Sequence, residues 1–347
     1  MKNTMLQEVM TAPGKIIFRE IPIPKPDDNQ VLVKIMKIGI CGSDIHVYHG
    51  THPYTSYPVT QGHEVSAKIV CLGKNVTNFK EGDMVTIEPQ VFCGHCYTCT
   101  HDHYYACSDL KVMGFQTTGT ASEYFAVDAS KVDLAPSGLT YTDTAMIEPL
   151  AVTVHAAKRE NVKGKNIAVL GVGPIGNLLM QSLKAEGAAK VMVTDVSDFR
   201  LELAKKCGAD FIYNTKKIDF GDAMIDAFGE NKADLIYDCA GNDITMNSAI
   251  RNARKCTTIV LVAVFGKMAN VDLAKLNDSE LTLNTSFMYS HEDYVDAMKF
   301  VSEGKIQLKP LQSKHFPFKE FLNAYKYIDD NREKTMKVIV DVDETEE

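Results

Sequence analysis

The stretch NIAVLGVGPIGNLLMQSLKAEG, residues 166–187, decides the fold of this chain. It begins as an apolar strand, turns through GVGPIG (Gly171 to Gly176) and continues with the apolar spacing of a helix. A glycine motif of this form is weak evidence alone, but here a strand precedes it and a helix follows it. Gly171 permits the tight turn, Gly173 lets the backbone approach a pyrophosphate, and Gly176 lets the helix pack on the strand. The stretch therefore predicts a dinucleotide-binding unit.

The same unit predicts which dinucleotide is bound. Phosphates at the start of the helix, around Pro174 and Ile175, meet unpaired N–H groups and the positive end of the helix dipole. Asp195 ends the next strand about twenty residues after the motif, where a carboxylate bonds the ribose hydroxyls and repels a 2′-phosphate. NAD is therefore favoured over NADP. Arg200 complicates this preference, because an arginine there can accept a phosphate, stack on adenine or pair with Asp198.

The rest of the chain divides on either side of this motif. Six strand patterns between residues 166 and 289, most of them separated by helical patterns, predict a doubly wound parallel sheet of the α/β class. The first 135 residues show short strands broken by Gly, Pro and Asn, which indicate a closed or partly closed β-barrel. We therefore expect a β-rich domain over 1–150, a nucleotide-binding domain over 151–289 and a C-terminal segment over 290–347 that returns to the first domain.

Composition excludes several classes of protein. The chain has 347 residues, 45% hydrophobic and 24% charged, which fits two globular domains. No run of 18 apolar residues predicts a membrane span, and the first twenty residues lack the apolar core of a secretory signal. A net charge of −8 argues against nucleic acid as a partner. A cytoplasmic location is expected.

Nine cysteines point to metal, because an odd count without an export signal argues against a disulfide framework. Four of them, Cys93, Cys96, Cys99 and Cys107, fall in one short segment. Four thiolates suit tetrahedral zinc, and a closed set of four leaves no position for substrate, so this zinc would be structural. Unrelated surface cysteines and an iron–sulfur cluster are the alternatives. Zinc is favoured, because the cysteines are clustered and nothing else in the sequence indicates electron transfer.

A second set of metal-ligating residue types is dispersed along the chain. Cys41 lies in GICGSDIH, His63 and Glu64 in GHE, and Glu148 in MIEPL. With Gly82-Asp83, the four-cysteine segment, IEPLAV, GVGPIG and TIVLVAVFG, these motifs resemble the zinc-containing medium-chain dehydrogenases over nearly the whole chain. That family has a GroES-like β-rich catalytic domain and a Rossmann domain. GHE with IEPLAV is most similar to the sorbitol (polyol) and sugar-acid branch.

The resemblance implies roles for individual residues. Cys41, His63 and Glu64 would ligate a catalytic zinc, giving two zinc ions per chain with the structural one, and Glu148 would either anchor a water or enter the ligand shell. Ser43 and His46 would relay a proton to solvent, since histidine suits proton shuttling, although a surface histidine is the plain alternative for His46. Tyr48 would contact substrate, and Val264, in TIVLVAVFG, would bind the cofactor.

The expected function is zinc- and NAD-dependent oxidation of a secondary alcohol in a polyol, sugar or sugar acid. L-threonine or 2,3-butanediol dehydrogenase is the alternative enzyme, and a non-catalytic NAD-binding protein is a remote one. Three positions depart from the resembled pattern: Met288 replaces an arginine, Cys256-Thr257 a glycine pair, and Ala263 a glycine. The first puts sorbitol itself in doubt. The resemblance also implies a homodimer or homotetramer.

Overall fold

The computed structural model describes residues 3–346, which form two compact units. The first unit contains the chain up to Glu148 and again from Gln312 onward, and the second spans Pro149–Leu311. Residues 290–311 therefore lie in the second unit, which differs from the sequence-based division at 290. In this segment Asp293 Oδ2 lies 2.7 Å from His155 Nδ1 of the second unit, and both side chains are buried.

The strands are, in chain order, β1 Thr4–Ala12, β2 Lys15–Pro22, β3 Gln30–Ile40, β4 Glu64–Leu72, β5 Met84–Ile87, β6 Gln90–Val91, β7 Lys111–Val112, β8 Tyr124–Asp128, β9 Val132–Leu134, β10 Asn166–Leu170, β11 Lys190–Asp195, β12 Phe211–Asn214, β13 Leu235–Asp238, β14 Thr258–Leu261, β15 Thr282–Thr285, β16 Gln312–Pro317 and β17 Lys337–Asp341. The α-helices are α1 Gly42–Tyr48, α2 Tyr141–Ala145, α3 Ile147–Lys158, α4 Pro174–Ala185, α5 Asp198–Lys206, α6 Phe220–Phe228, α7 Asp243–Asn252, α8 Leu273–Asp278, α9 His291–Ser302 and α10 Phe321–Asp330. None of these helices is long and apolar enough to cross a bilayer.

The second unit is built on a six-stranded parallel sheet in the order β12–β11–β10–β13–β14–β15. Counted from β10, this is the order 3-2-1-4-5-6 of a doubly wound sheet, which confirms the predicted fold class. Strands β10 and β13 are almost wholly buried, as expected of a parallel sheet covered on both faces. The order in which successive strands are added reverses between β10 and β13, and the glycine motif follows β10 at that point. A ligand crevice is expected there.

The first unit contains a seven-stranded sheet ordered β16–β17–β3–β4–β5–β9, with β8 also paired to β3. All pairs are antiparallel except β16 with β17. Within the described strands, β16 and β9 end the ladder, so the predicted barrel is not closed by strand pairing. Strand β17 is near the C-terminus yet pairs with the end of β3, which brings the last part of the chain beside Cys41.

Candidate functional site

The glycine motif forms a tight turn between β10 and α4. Gly171 has a φ of +82°, and a Cβ there would come within 2.9 Å of the Ala240 Cβ. A Cβ on Gly176 would lie 1.9 Å from the Gly171 carbonyl oxygen. Both positions therefore require glycine, the first for its backbone conformation and the second because helix and strand approach so closely.

A cavity of about 350 Å³ opens beside this turn. Gly171, Gly173, Asp195 and Arg200 line it, whereas Val264 lies outside that lining and is 88% exposed. The predicted contacts Pro174, Ile175 and Gly176 form the first turn of α4. Sequence reasoning missed the polar side chains that line the other half of the cavity at the start of α7, which are Asn242, Thr245 and Ser248. The signal for them was the polar helix start that follows β13.

Asp195 is held firmly at the edge of this cavity. Its Oδ2 accepts the Val172 N–H and its Oδ1 accepts the Ser197 N–H, both at 2.9 Å. Arg200 Nη1 lies 4.0 Å from Asp195 Oδ2. Asp198 instead pairs with Lys217 at 2.8 Å. A charged neighbour of Arg200 is therefore Asp195, and the three contacts considered for Arg200 from the sequence stay predictions.

The four cysteines of the first unit have the spacing of a tetrahedral zinc site. Cys93 Sγ lies 4.0 Å from Cys99 Sγ, and Cys96 Sγ lies 3.8 Å from Cys107 Sγ. Ligands 2.3 Å from a tetrahedral zinc are about 3.8 Å from one another. Three backbone N–H groups of this segment donate to the sulfurs at 3.3–3.4 Å. Hydrogen bonds, first that of Thr98 and then those of Ser108, lower the pKa of Cys96 to about 4. The residues present therefore fit a zinc ion.

A second group of ligand atoms lies elsewhere in the first unit. One ligand atom each from Cys41, His63 and Glu64 lies within 4.8 Å of the other two. Strand pairing explains this convergence, because β3 runs into Cys41 while Gly39 of the same strand stands opposite Glu64 at the start of β4. A Cβ on Gly39 would lie 2.2 Å from Glu64 Oε2. Gly39 therefore makes room for the carboxylate, a role that sequence reasoning missed.

The charges around this group favour a cation. Burial lowers the pKa of His63, but the nearby Asp44 carboxylate outweighs burial and raises that pKa well above its usual value. Asp44 Oδ1 lies 3.5 Å from His63 Nδ1, an electrostatic contact longer than an ordinary hydrogen bond, and its Oδ2 accepts the Cys41 N–H at 2.9 Å. One thiol, one imidazole and one carboxylate are the ligand types that zinc prefers. These residues also fit a zinc ion.

Lys337 already engages the Glu64 carboxylate. Its Nζ lies 2.6 Å from both Glu64 oxygens and donates to the Ile40 carbonyl at 3.2 Å. Both side chains are buried. Burial lowers the pKa of Lys337, but the effects of Glu64, Cys41 and Glu148 are larger and raise that pKa above its usual value. Glu148 itself is buried, but it does not join the group of three ligand atoms. Lys337 was not predicted from the sequence.

Helix α1 carries the other predicted residues. Ser43 and His46 are three residues apart and so share a face of the helix; His46 is exposed, and its Nδ1 lies 3.3 Å from Thr51 Oγ1. Tyr48 is half-buried, and its ring stacks on Tyr325 with centroids 4.9 Å apart and planes 6° apart.

The segment after α1 holds two further histidines. His49 pairs with Asp329 at 2.7 Å. His52 stacks on Phe115, with ring centroids 4.8 Å apart, and its Nδ1 is 2.8 Å from Thr55 Oγ1. The Phe115 ring also contacts His63, at 4.9 Å between centroids. Of the two histidines, His52 is therefore the one that lies close to the ligand group.

Comparison with known proteins assigns the family. Residues 27–137 match the alcohol dehydrogenase GroES-like domain, and residues 174–303 match the zinc-binding dehydrogenase domain. L-galactonate-5-dehydrogenase from Escherichia coli (strain K12) is 32% identical, over 97% of this chain and 99% of the relative. This chain belongs to the zinc-type alcohol dehydrogenases. Sorbitol dehydrogenase from Bacillus subtilis (strain 168) is 30% identical, over 97% of both chains.

A solved structure agrees with this family. An alcohol dehydrogenase from E. coli CFT073, complexed with the cofactor NADH, has a TM-score of 0.91 and 29% identity, covering 98% of this chain and all of that one. The predicted family and the GroES-like plus Rossmann fold are confirmed. The protein is a zinc-dependent oxidoreductase that acts on a CH–OH group of a small molecule.

Proposed function

We propose that this dehydrogenase oxidises a secondary alcohol of a polyol, sugar or sugar acid to the ketone, with NAD as the acceptor. The observation that carries the proposal is the convergence of ligand atoms from Cys41, His63 and Glu64 within 4.8 Å. A zinc ion bound there supplies a Lewis acid that lowers the pKa of a substrate hydroxyl, while NAD accepts the hydride. The names of the relatives, an L-galactonate and a sorbitol dehydrogenase, support this substrate class.

The ligands of this site are oriented by neighbouring charges. Asp44 faces His63 Nδ1, so the other ring nitrogen, Nε2, is the one offered to the metal. Lys337 holds the Glu64 carboxylate through both of its oxygens. Glu148 stays outside the three-atom group, which favours its role as an anchor for a water or a substrate hydroxyl over direct ligation.

The proton released from substrate leaves along α1. Ser43 and His46 share a helix face, and the exposed His46 ring can pass a proton to solvent. The contact of His46 Nδ1 with Thr51 Oγ1 orients the ring. We therefore assign Ser43 and His46 to the relay.

Substrate hydroxyls are recognised by the end of α1 and the loop that follows it. His49 is already paired with Asp329, so Tyr48 and His52 are the better candidates for contacting substrate. His52 lies against Phe115, which also touches the ligand His63. A phenol and an imidazole both donate and accept hydrogen bonds, and that suits a polyhydroxylated molecule.

Substrate class and cofactor are tested by initial rates with NAD and NADP against a panel of polyols, hexonates, L-threonine, 2,3-butanediol and ethanol. We expect the highest kcat/KM with NAD and a polyhydroxylated C4–C6 substrate, and little activity with ethanol. Efficient ethanol oxidation without polyol or sugar-acid activity would overturn the substrate class. A preference for L-threonine or 2,3-butanediol would select the alternative enzyme.

A matched pair of substitutions distinguishes the roles of the two proposed metal sites. Cys96→Ser should lower the melting temperature while the folded fraction keeps most of its turnover per site, because that zinc is structural. Cys41→Ser should abolish turnover, and it should lower the melting temperature less than Cys96→Ser does. Elemental analysis should find two zinc ions per wild-type chain. A single zinc, together with an active Cys41→Ser variant, would contradict the two-site assignment.

Assembly and location belong to the same proposal. The family resemblance supports a homodimer or homotetramer in the cytoplasm. Light scattering at micromolar concentration gives the mass of the assembly, and a mass equal to the 38.4 kDa chain would reject it. Cell fractionation tests the location.

A further inference from the structure

Tyr325 donates into a buried chain of hydrogen bonds that ends at the proposed zinc ligands. Its hydroxyl donates to Gln61 Oε1 at 2.7 Å, and Gln61 Nε2 donates to Asp44 Oδ1 at 3.1 Å. Asp44 in turn faces His63 Nδ1 at 3.5 Å. Tyr325, Gln61 and Asp44 are almost completely buried, so water cannot replace these bonds. Each donor and acceptor therefore has a fixed direction.

The ring of Tyr325 makes a second contact with α1. It stacks on Tyr48, the proposed substrate contact, nearly face to face. Asp44 and Tyr48 are four residues apart on α1 and share one side of that helix. Tyr325 of α10 thus contacts both Gln61, which bonds the Asp44 carboxylate beside His63, and Tyr48, the proposed substrate contact. Burial raises the pKa of Tyr325 well above its usual value, which keeps its hydroxyl protonated as a donor.

We propose that Tyr325 is a positioning residue that couples the proposed substrate contact Tyr48 to the metal ligand His63 through Gln61 and Asp44. This inference rests on the proposed function of the site. The hydroxyl acts on the metal side, because it fixes the Gln61 amide with its nitrogen towards Asp44. The ring acts on the substrate side, because it sets the angle of the Tyr48 ring.

Two substitutions distinguish the role of the Tyr325 hydroxyl from that of the Tyr325 ring. Tyr325→Phe keeps the ring and removes the hydroxyl, so Gln61 Oε1 loses its donor and the amide can turn its oxygen towards the Asp44 carboxylate. We expect about tenfold weaker metal binding and about tenfold lower kcat, with KM nearly unchanged. Tyr325→Leu also removes the stack, and it should raise KM several-fold in addition.

Metal binding is measured on the purified holoenzyme by competition with a chelator, using zinc alone. It is repeated with Co²⁺, whose visible absorption reports the geometry of the ligands directly. The Co²⁺ spectrum should change in Tyr325→Phe, which a purely structural role of the hydroxyl would not cause. Tyr327→Phe is the matched control, because it removes a phenol hydroxyl from the same helix on a ring that packs against Phe316. Its metal affinity and spectrum should equal those of wild type.

A double-substitution cycle tests whether the hydroxyl acts through Gln61. Gln61→Met removes the amide, and adding Tyr325→Phe to it should then cost almost nothing more in metal affinity. Additive losses would overturn the proposed route. Unchanged metal affinity, spectrum and kcat in Tyr325→Phe would overturn the coupling itself while leaving the proposed function intact. Wild-type protein without metal at Cys41 would instead overturn the proposed function, and this inference with it.

Discussion

Lys337→Met should make the stability of the protein depend more strongly on zinc. Glu64 is completely buried, and the Lys337 ammonium is 2.6 Å from both of its oxygens. Removing one partner of a buried pair leaves an uncompensated charge, which costs about 3 kcal/mol or more. A zinc ion ligated by Glu64 supplies the missing positive charge, so the cost in the zinc-bound protein should fall to about 1 kcal/mol.

The difference between these two costs is a change in zinc affinity. About 2 kcal/mol corresponds to roughly 30-fold tighter zinc binding by the folded variant than by wild type. The assay is urea unfolding followed by circular dichroism, with free zinc buffered over several decades and with chelator. Zinc should raise the unfolding midpoint more for the variant than for wild type.

Lys37→Met is the control, because the chelator also strips the four-cysteine site. Lys37 is a buried lysine whose Nζ lies 3.0 Å from Asp341 Oδ1, and it does not belong to the proposed ligand group. This variant should lose stability by a similar mechanism, but equally with and without zinc. If the zinc-linked gain is the same in Lys337→Met and Lys37→Met, Glu64 is not a ligand and the reasoning is refuted.

Two further predictions concern the second unit. Asp195→Ser should reduce the ratio of kcat/KM with NAD to kcat/KM with NADP by about tenfold or more. The substitution removes the carboxylate that accepts hydrogen bonds from the ribose hydroxyls of NAD and that repels the 2′-phosphate of NADP. A wild-type protein that already prefers NADP would contradict this prediction. Asp293→Ala should cost about 3 kcal/mol in the hydrogen-exchange stability of α9, whereas Asp296→Ala, at the exposed end of the same cluster, should cost under about 1 kcal/mol. Burial raises the pKa of Asp293, but hydrogen bonds outweigh burial and hold that pKa below its usual range. The stability that Asp293 contributes should therefore be constant from pH 6 to 8. It should decline only as the pH falls below the pKa of an aspartate in the unfolded chain, about 3.9, towards the lower pKa of Asp293 in the folded protein. A decline already at pH 6 would point to a different group.

The features that sequence reasoning reached without family resemblance are those that lie within short segments. The glycine motif between β10 and α4 and the four clustered cysteines each lie in about fifteen residues or fewer, and their chemistry follows from spacing alone. The parallel sheet followed from the alternation of strand and helix patterns. Cys41, His63 and Glu64 were found only through family resemblance, because ladder pairing, which spacing does not reveal, brings them together.

The features that were missed are contacts between distant parts of the chain. Lys337 meets Glu64 across 273 residues, and Tyr325 meets Gln61 across 264. A lysine in MKVIVDV and a tyrosine in FLNAYKYI are ordinary residues of a final strand and an amphipathic helix. Nothing local distinguishes them from core or surface side chains. The role of Lys337 depends on the pairing of β17 with β3, and that of Tyr325 depends on the position of α10, and only the folded chain provides both.

The first unit therefore takes the proposed ligands of its catalytic zinc from one part of the chain and the residues that support them from another. These three ligands lie within residues 41–64, but the cation that holds Glu64 and the phenol that fixes Gln61 both come from the segment that begins at Gln312. Since β17 places Lys337 and α10 places Tyr325, the return of the C-terminal segment completes the electrostatic surroundings of the site as well as the sheet. Without Lys337 the buried Glu64 carboxylate would lie beside Cys41 with its charge uncompensated. The three proposed ligands of the catalytic zinc thus depend on the C-terminal segment, although none of them lies in it.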